Sequence, residues 1–110
     1  MGEIAIPVKN GDVCDHFEDL QYFLVYQVDK PSIIKKDILY PKSKKPGAIT
    51  EYLMEHGISE VIVRGISYDT IRQLNYYKIH VFVGVRDKKP ENLIMDYLNN
   101  KLDTDERMCY

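Results

Sequence analysis

The chain has 110 residues, 45% apolar and 29% charged, with a net charge of −2. That size and balance suit one globular domain that can bury a core without disulfide or metal support, and they exclude a disordered chain. The slight acidic excess argues against a nucleic-acid partner, whose binders carry a basic face, and the longest apolar runs, Tyr22–Tyr26 and Val81–Val83, are too short to cross a membrane.

Glu3–Val8 reads as a first strand, with Ile4 and Ile6 alternating with smaller or charged neighbours and Pro7 placed at its end or beside a bulge. Lys9-Asn10-Gly11-Asp12 is a turn cluster, and Cys14-Asp15-His16-Phe17 follows as a loop. Gln21–Asp29 is a second strand, rich in aromatic and β-branched residues. The short connection through Lys30-Pro31 makes Ile33–Tyr40 its antiparallel partner, and Lys35-Lys36-Asp37 suits an edge with one wet face. A loop with Lys42, Lys44 and Lys45 leads into a helix whose inner face carries Ile49, Tyr52, Leu53 and His56, closed by Gly57.

Val61–Val63 is short and wholly apolar, as a buried parallel strand is. Arg64-Gly65-Ile66 turns into a second helix with Ser67 as N-cap and Ile71, Leu74 and Tyr77 inside. Lys78–Gly84 is another buried strand. Pro90 and Glu91 open a third helix that buries Leu93, Ile94, Tyr97 and Leu98. From Lys101 the chain reads as a polar tail expected to fray, so the domain spans 1–102 and the tail 103–110. The order β-β-β-α-β-α-β-α predicts one mixed five-stranded sheet with helices packed on its faces. With no basic leader and only Cys14 and Cys109, the expected compartment is the reducing cytoplasm, without a structural disulfide.

Open sheets of this kind bind ligands beyond the carboxyl ends of their parallel strands, where strand order reverses. That end collects the Lys9–Phe17 loop, the Lys-rich approach to the first helix, and Gly65–Ser67. Cys14 and His16 fall two apart, so in an extended segment both side chains point the same way, and thiolate and imidazole suit iron, zinc or copper(I). Two protein ligands do not close a structural zinc site, and a thiolate-held cluster takes four cysteines, so a dimer or a preassembled cofactor with its own ligands is required. The same residues also read as a small buried hydrophobe and a loop hydrogen-bonder; the pattern leaves both open. No third group orients His16 for nucleophilic catalysis by Cys14, and no phosphate-cradling glycine motif is present. The topology is also that of ribonuclease-H-like nucleases, which place metal-binding carboxylates on the first strand; Ile4-Ala5-Ile6 has none.

Glu3–Val8, then Asp15-His16-Phe17, then Tyr22–Val25 resemble the dinitrogenase iron-molybdenum cofactor biosynthesis family, the NifX-like domain also found at the C-terminus of NifB-type proteins. Pro46-Gly47-Ala48, His56-Gly57-Ile58, Val61–Gly65 and Ile79–Gly84 extend the resemblance over about residues 3 to 100. It implies a ribonuclease-H-like three-layer α/β fold without nuclease activity. It also implies a non-enzymatic module that carries iron-molybdenum cofactor or an iron-sulfur precursor. The family's cofactor-binding histidine corresponds to His16; Cys14 has no fixed counterpart in the family and is an optional second metal ligand through its spacing alone. Lys44 and Lys45 would complement an anionic cofactor, and Gly65 and Ser67 would border it.

The implied partners are the metallocofactor or a cofactor-assembly protein, and the implied state is a monomer or weak homodimer. Two departures stand out: Glu18-Asp19 follow His16-Phe17 where the family often has glycine and a small or basic residue, and Tyr68 follows Gly65 where a second glycine is common. They motivate the alternative of an interaction or regulatory domain that has kept the fold and lost the cofactor.

Overall fold

A computed structural model describes residues 2–45 and 47–110. Pro46, quoted above in the motif that opens the first helix, lies outside the described residues. The strands are β1 (Gly2–Lys9), β2 (Asp12–Val13), β3 (Tyr22–Asp29), β4 (Ser32–Leu39), β5 (Glu60–Ile62) and β6 (His80–Phe82). The helices are α1 (Ala48–Glu55), α2 (Tyr68–Tyr76) and α3 (Pro90–Leu98).

The sheet runs β4-β3-β1-β5-β6, antiparallel through β4, β3 and β1 and parallel through β1, β5 and β6. This is the expected mixed sheet, with one short strand added. Asn10 and Gly11 adopt left-handed backbone (φ 55° and 84°), which turns Asp12–Val13 back onto β1 so that Val8 faces Val13. Two residues of ladder leave no periodic signal in a sequence.

β1 is central, and its alternation divides the core. Ala5 faces a cluster with Phe17, Phe23, Ile49, Leu53 and Leu74, under α1 and α2. Ile4, Ile6 and Val8 face a second cluster with Leu24, Leu93, Ile94 and Leu98, under α3. Two apolar faces need helices on both sides, which makes three layers. Pro7 lies beyond the parallel ladder, which pairs only Ile4 and Ala5 with β5. Each helix ends on a left-handed residue, Gly57, Lys78 or Asn100. In each case the next amide reaches back to a carbonyl five residues earlier, such as Ile58 N–H to Leu53 O at 3.1 Å.

The tail departs from expectation. The segment after Asp103 does not fray but straps across the end of the sheet. Asp105 N–H donates to Val83 O (2.8 Å), Ile66 N–H to Met108 O (3.3 Å), Tyr110 N–H to Ile66 O (3.1 Å) and Tyr68 N–H to Tyr110 O (2.7 Å). Polar composition predicted solvent exposure, but these contacts use backbone groups, which composition does not report.

Candidate functional site

The loop after β2 is held at its base by Val13 N–H to Lys88 O (2.8 Å) and Cys14 N–H to Pro7 O (3.0 Å). From there successive side chains part company. Phe17 is 1% exposed and packs on Phe23 with ring centroids 5.7 Å apart, whereas His16 is exposed. The aromatic anchors the turn and the imidazole is presented above it. Residues 17–19 form a single 3₁₀ turn, closed by Asp19 N–H to His16 O at 3.0 Å.

His16 is also locked to the loop after β5. Gly65 N–H donates to Asp15 O (2.9 Å) and Phe17 N–H to Gly65 O (2.8 Å), so His16 and Gly65 form a parallel bridge. A Cβ on Gly65 would lie 2.6 Å from Asp15 O and 3.2 Å from His16 Nδ1. Only glycine lets the two loops approach this closely. Arg64, one residue earlier, ties in a third loop. Its guanidinium donates to Val85 O (3.1 Å) and Arg86 O (2.6 Å). Its Nε, buried and without a hydrogen-bond partner among the described residues, lies 3.3 Å from Asp15 Oδ1 as an ion pair.

Glu18 looked like a loop acid in the sequence and proves to be a joint. Oε1 accepts from Ser67 N–H (3.4 Å) and Thr70 Oγ1 (3.2 Å), and Oε2 accepts from the Tyr110 hydroxyl (2.7 Å). Ser67 is the N-cap of α2, as its sequence position predicts, taking the Thr70 amide at 3.2 Å. A carboxylate at this helix N-terminus meets the favourable end of the dipole. Burial pushes the Glu18 carboxyl up, but the bonds from Tyr110, its own backbone, Ser67 and Thr70 outweigh that and hold it below its ordinary value of 4.5. The contribution of Glu18 to strap docking is therefore complete above that value and is lost as pH falls through the lower folded value. NMR shifts of the Tyr110 ring and of the Ser67 amide, the groups bonded to Glu18, should hold steady above pH 4.5 and titrate below it. Glu18→Gln should abolish the step.

Tyr110 completes the site. Its ring stands edge-on to His16, 5.3 Å between centroids at 82°. No hydrogen bond engages either His16 ring nitrogen among the described residues. Cys14, expected as an optional second ligand pointing with His16, lies in the core at 3% exposure. Burial, then Asp19, pushes its thiol up to about 11. Of the two readings of Cys14 left open by its spacing, its position in this structure matches the small buried hydrophobe.

Beside Phe17 and Glu18 opens a cleft of about 410 Å³, lined also by Lys44, Lys45, Ser67 and Arg72. The structure thus brings Lys44, Lys45 and Ser67 around one cavity. His16 and Gly65 are not among the residues that line it. Among the described residues no three His, Cys, Asp or Glu side chains gather as a metal site, and no helix is long and apolar enough to cross a membrane. Sequence reasoning missed Arg64, Glu18 and Tyr110 as site residues. Each acts across 40 or more positions of chain or through backbone carbonyls, so no local pattern marks them.

A model of the dinitrogenase iron-molybdenum cofactor family matches residues 3–100. The chain belongs to this family. Within the dinitrogenase cofactor family, His16-Phe17 and the Gly65 bridge sit in the matched region, whereas the strap from 103 to 110 lies beyond it. No curated protein sequence matches the chain. Solved structures share its fold. PH0822 superposes with a TM-score of 0.87 at 23% identity, over 96% of this chain and 98% of that one. MJ0327 from Methanocaldococcus jannaschii gives 0.78 at 15% identity, over 96% and 95%. The apo form of the orange protein from Desulfovibrio gigas gives 0.75 at 15% identity, over 96% and 94%.

Proposed function

We propose that this chain is a non-enzymatic carrier for a preassembled, anionic metal–sulfur cluster of the iron-sulfur or iron-molybdenum type, held through the His16 imidazole. One observation carries the reading: an exposed imidazole with no hydrogen-bond partner among the described residues stands on a loop pinned by Phe17 and locked to Gly65, at the carboxyl end of the parallel strands. A single protein ligand does not hold a bare ion, so the cargo must bring its own remaining ligands. Lys44 and Lys45 supply positive charge in the cleft beside Phe17 and Glu18, with Ser67 in the same lining, while Arg72 there is paired with Asp69. Glu18 does not point free charge at the cargo, because its carboxylate is committed to α2 and Tyr110. The reading rests on His16 and leaves Cys14 in the core. A cofactor-assembly protein is the implied donor or acceptor.

Anaerobic incubation with iron and sulfide, or with extracted iron-molybdenum cofactor, followed by gel filtration and visible absorption, tests it. His16→Ala should lower cluster retention by at least about tenfold, the lower bound for even outer-shell partners of a metal. Equal retention by both proteins would overturn it.

The edge-on Tyr110 ring favours a second reading, an interaction domain that has lost the cofactor and whose histidine is contacted by its own strap. That reading requires that no cluster bind even when the strap is released.

A further inference from the structure

β4 is the uncovered edge of the sheet, and residues 32–38 are all exposed. It carries Ile34 at 55% and Ile38 at 49% exposure, with Tyr40 just beyond at 65%. An edge strand with unpaired amides and an apolar stripe is a template for another strand. Proteins blunt such edges with lysine, and Lys35 and Lys36 stand here. Asp37 changes what they do. In β4, Lys35 and Asp37 share a face and form an ion pair at 3.3 Å, with side chains 64% and 52% exposed.

Consider an antiparallel copy of β4 laid on the edge by a two-fold axis normal to the sheet. The axis keeps every residue on its own face, so residues opposite each other must share a face, and the axis passes through a residue pair. Centred on Lys35, the pairing opposes Lys35 to Lys35. Centred on Asp37, it opposes Asp37 to Asp37, Lys36 to Ile38 and Lys35 to Leu39. Centred on Lys36, it opposes Lys35 to Asp37 twice. Only the last register pairs opposite charges. Its one like-charge pair is Lys36 on the axis, and that ammonium leans over the Tyr26 ring of its own β3, 5.8 Å from the centroid. A bulge confines the regular ladder. Gln27 faces Lys35 but Val28 faces Ile33, so Ile34 is the extra residue and even pairing runs from Lys35 to Leu39.

We infer that β4 is a self-recognition edge: two copies of this chain join antiparallel through β4, centred on Lys36, into one continuous sheet. The lysines repel foreign strands of like charge, and Asp37 makes the edge complementary to itself in one register. The ladder is short, so the dimer is weak and concentration-dependent. It uses the edge opposite β6 and does not depend on cluster binding at His16.

Sedimentation of the full chain across micromolar to millimolar concentrations tests the inference, with circular dichroism and thermal melts confirming that each variant is folded. Lys35→Asp alone and Asp37→Lys alone should each weaken association by about tenfold, since two attractive cross-strand pairs become repulsive. The double exchange Lys35→Asp with Asp37→Lys should restore it. In a Cys109→Ser background, Lys36→Cys should form an intermolecular disulfide on oxidation, because directly opposed residues lie about 4.5–5.5 Å apart at Cα. A monomer at every concentration, a dimer indifferent to the single reversals, or a double exchange that fails to restore association would each overturn it.

Discussion

Gly84→Ala should free residues 103–110 from the body of the molecule while the sheet stays folded. Gly84 has φ 76°, where an alanine costs about 1–2 kcal/mol. Its Cβ would also stand 2.0 Å from Asp105 O and 2.7 Å from Asp105 C, a collision with backbone that no rotamer relieves. Overpacking of this kind costs about 1–3 kcal/mol when the structure must hold it. The strap is attached by four backbone hydrogen bonds and the Tyr110–Glu18 bond, each worth about 1 kcal/mol net. Collision and attachment are of similar size, so detaching the strap is the cheapest relief. Amide exchange at Asp105 and Tyr110 should approach that of free chain. The Cys109 thiol, half-buried in the native strap, should react with a disulfide reagent several-fold faster, while buried Cys14 stays protected. Unchanged protection of residues 105–110 would contradict the argument. The same variant separates the two functional readings. A carrier with its strap released binds cluster at least as well as before, and a domain that has lost the cofactor still binds none.

Gly65→Ala should act on His16 itself. Gly65 is not in the left-handed region, so an alanine meets no backbone strain there, only proximity. The added methyl meets Asp15 O at 2.6 Å, between the two hydrogen bonds that lock the loops. One bond or both must lengthen, and Phe17 must shift in a core where it is 1% exposed. The expected loss is about 1–3 kcal/mol in urea-induced unfolding. On the carrier reading, cluster retention falls as far as with His16→Ala, although the imidazole remains. Wild-type stability and a ¹⁵N–¹H spectrum unchanged at residues 15–17 would show that the loops tolerate separation.

Most of the architecture was legible from periodicity and turn chemistry. Leu93, Ile94, Tyr97 and Leu98 announced the buried face of α3, and Ser67 announced the N-cap of α2, because both signals act within one or two helical turns. β2 escaped because a two-residue ladder has no period. The strap escaped because it docks through backbone groups, which a polar composition does not reveal. Cys14 and His16 were seen together as neighbours in sequence, yet one faces the core and the other solvent, since the chain bends at Asp15 and turns 3₁₀ at Phe17.

The sequence by itself determined the order of the five longer strands and three helices, the mixed sheet with helices on its faces, the family, and His16-Phe17 as the point of interest. Those depend on local spacing and on which side chains water rejects. Only the tertiary structure decided that Phe17 anchors what His16 presents, that Glu18 is a joint and not free charge, that Arg64 and Gly65 lock the loop, and that Tyr110 stands against the imidazole. These contacts join positions 40 to more than 90 residues apart or pass through carbonyl oxygens. Their energy depends on distances of a few tenths of an ångström, which the folded chain sets and the order of residues does not display.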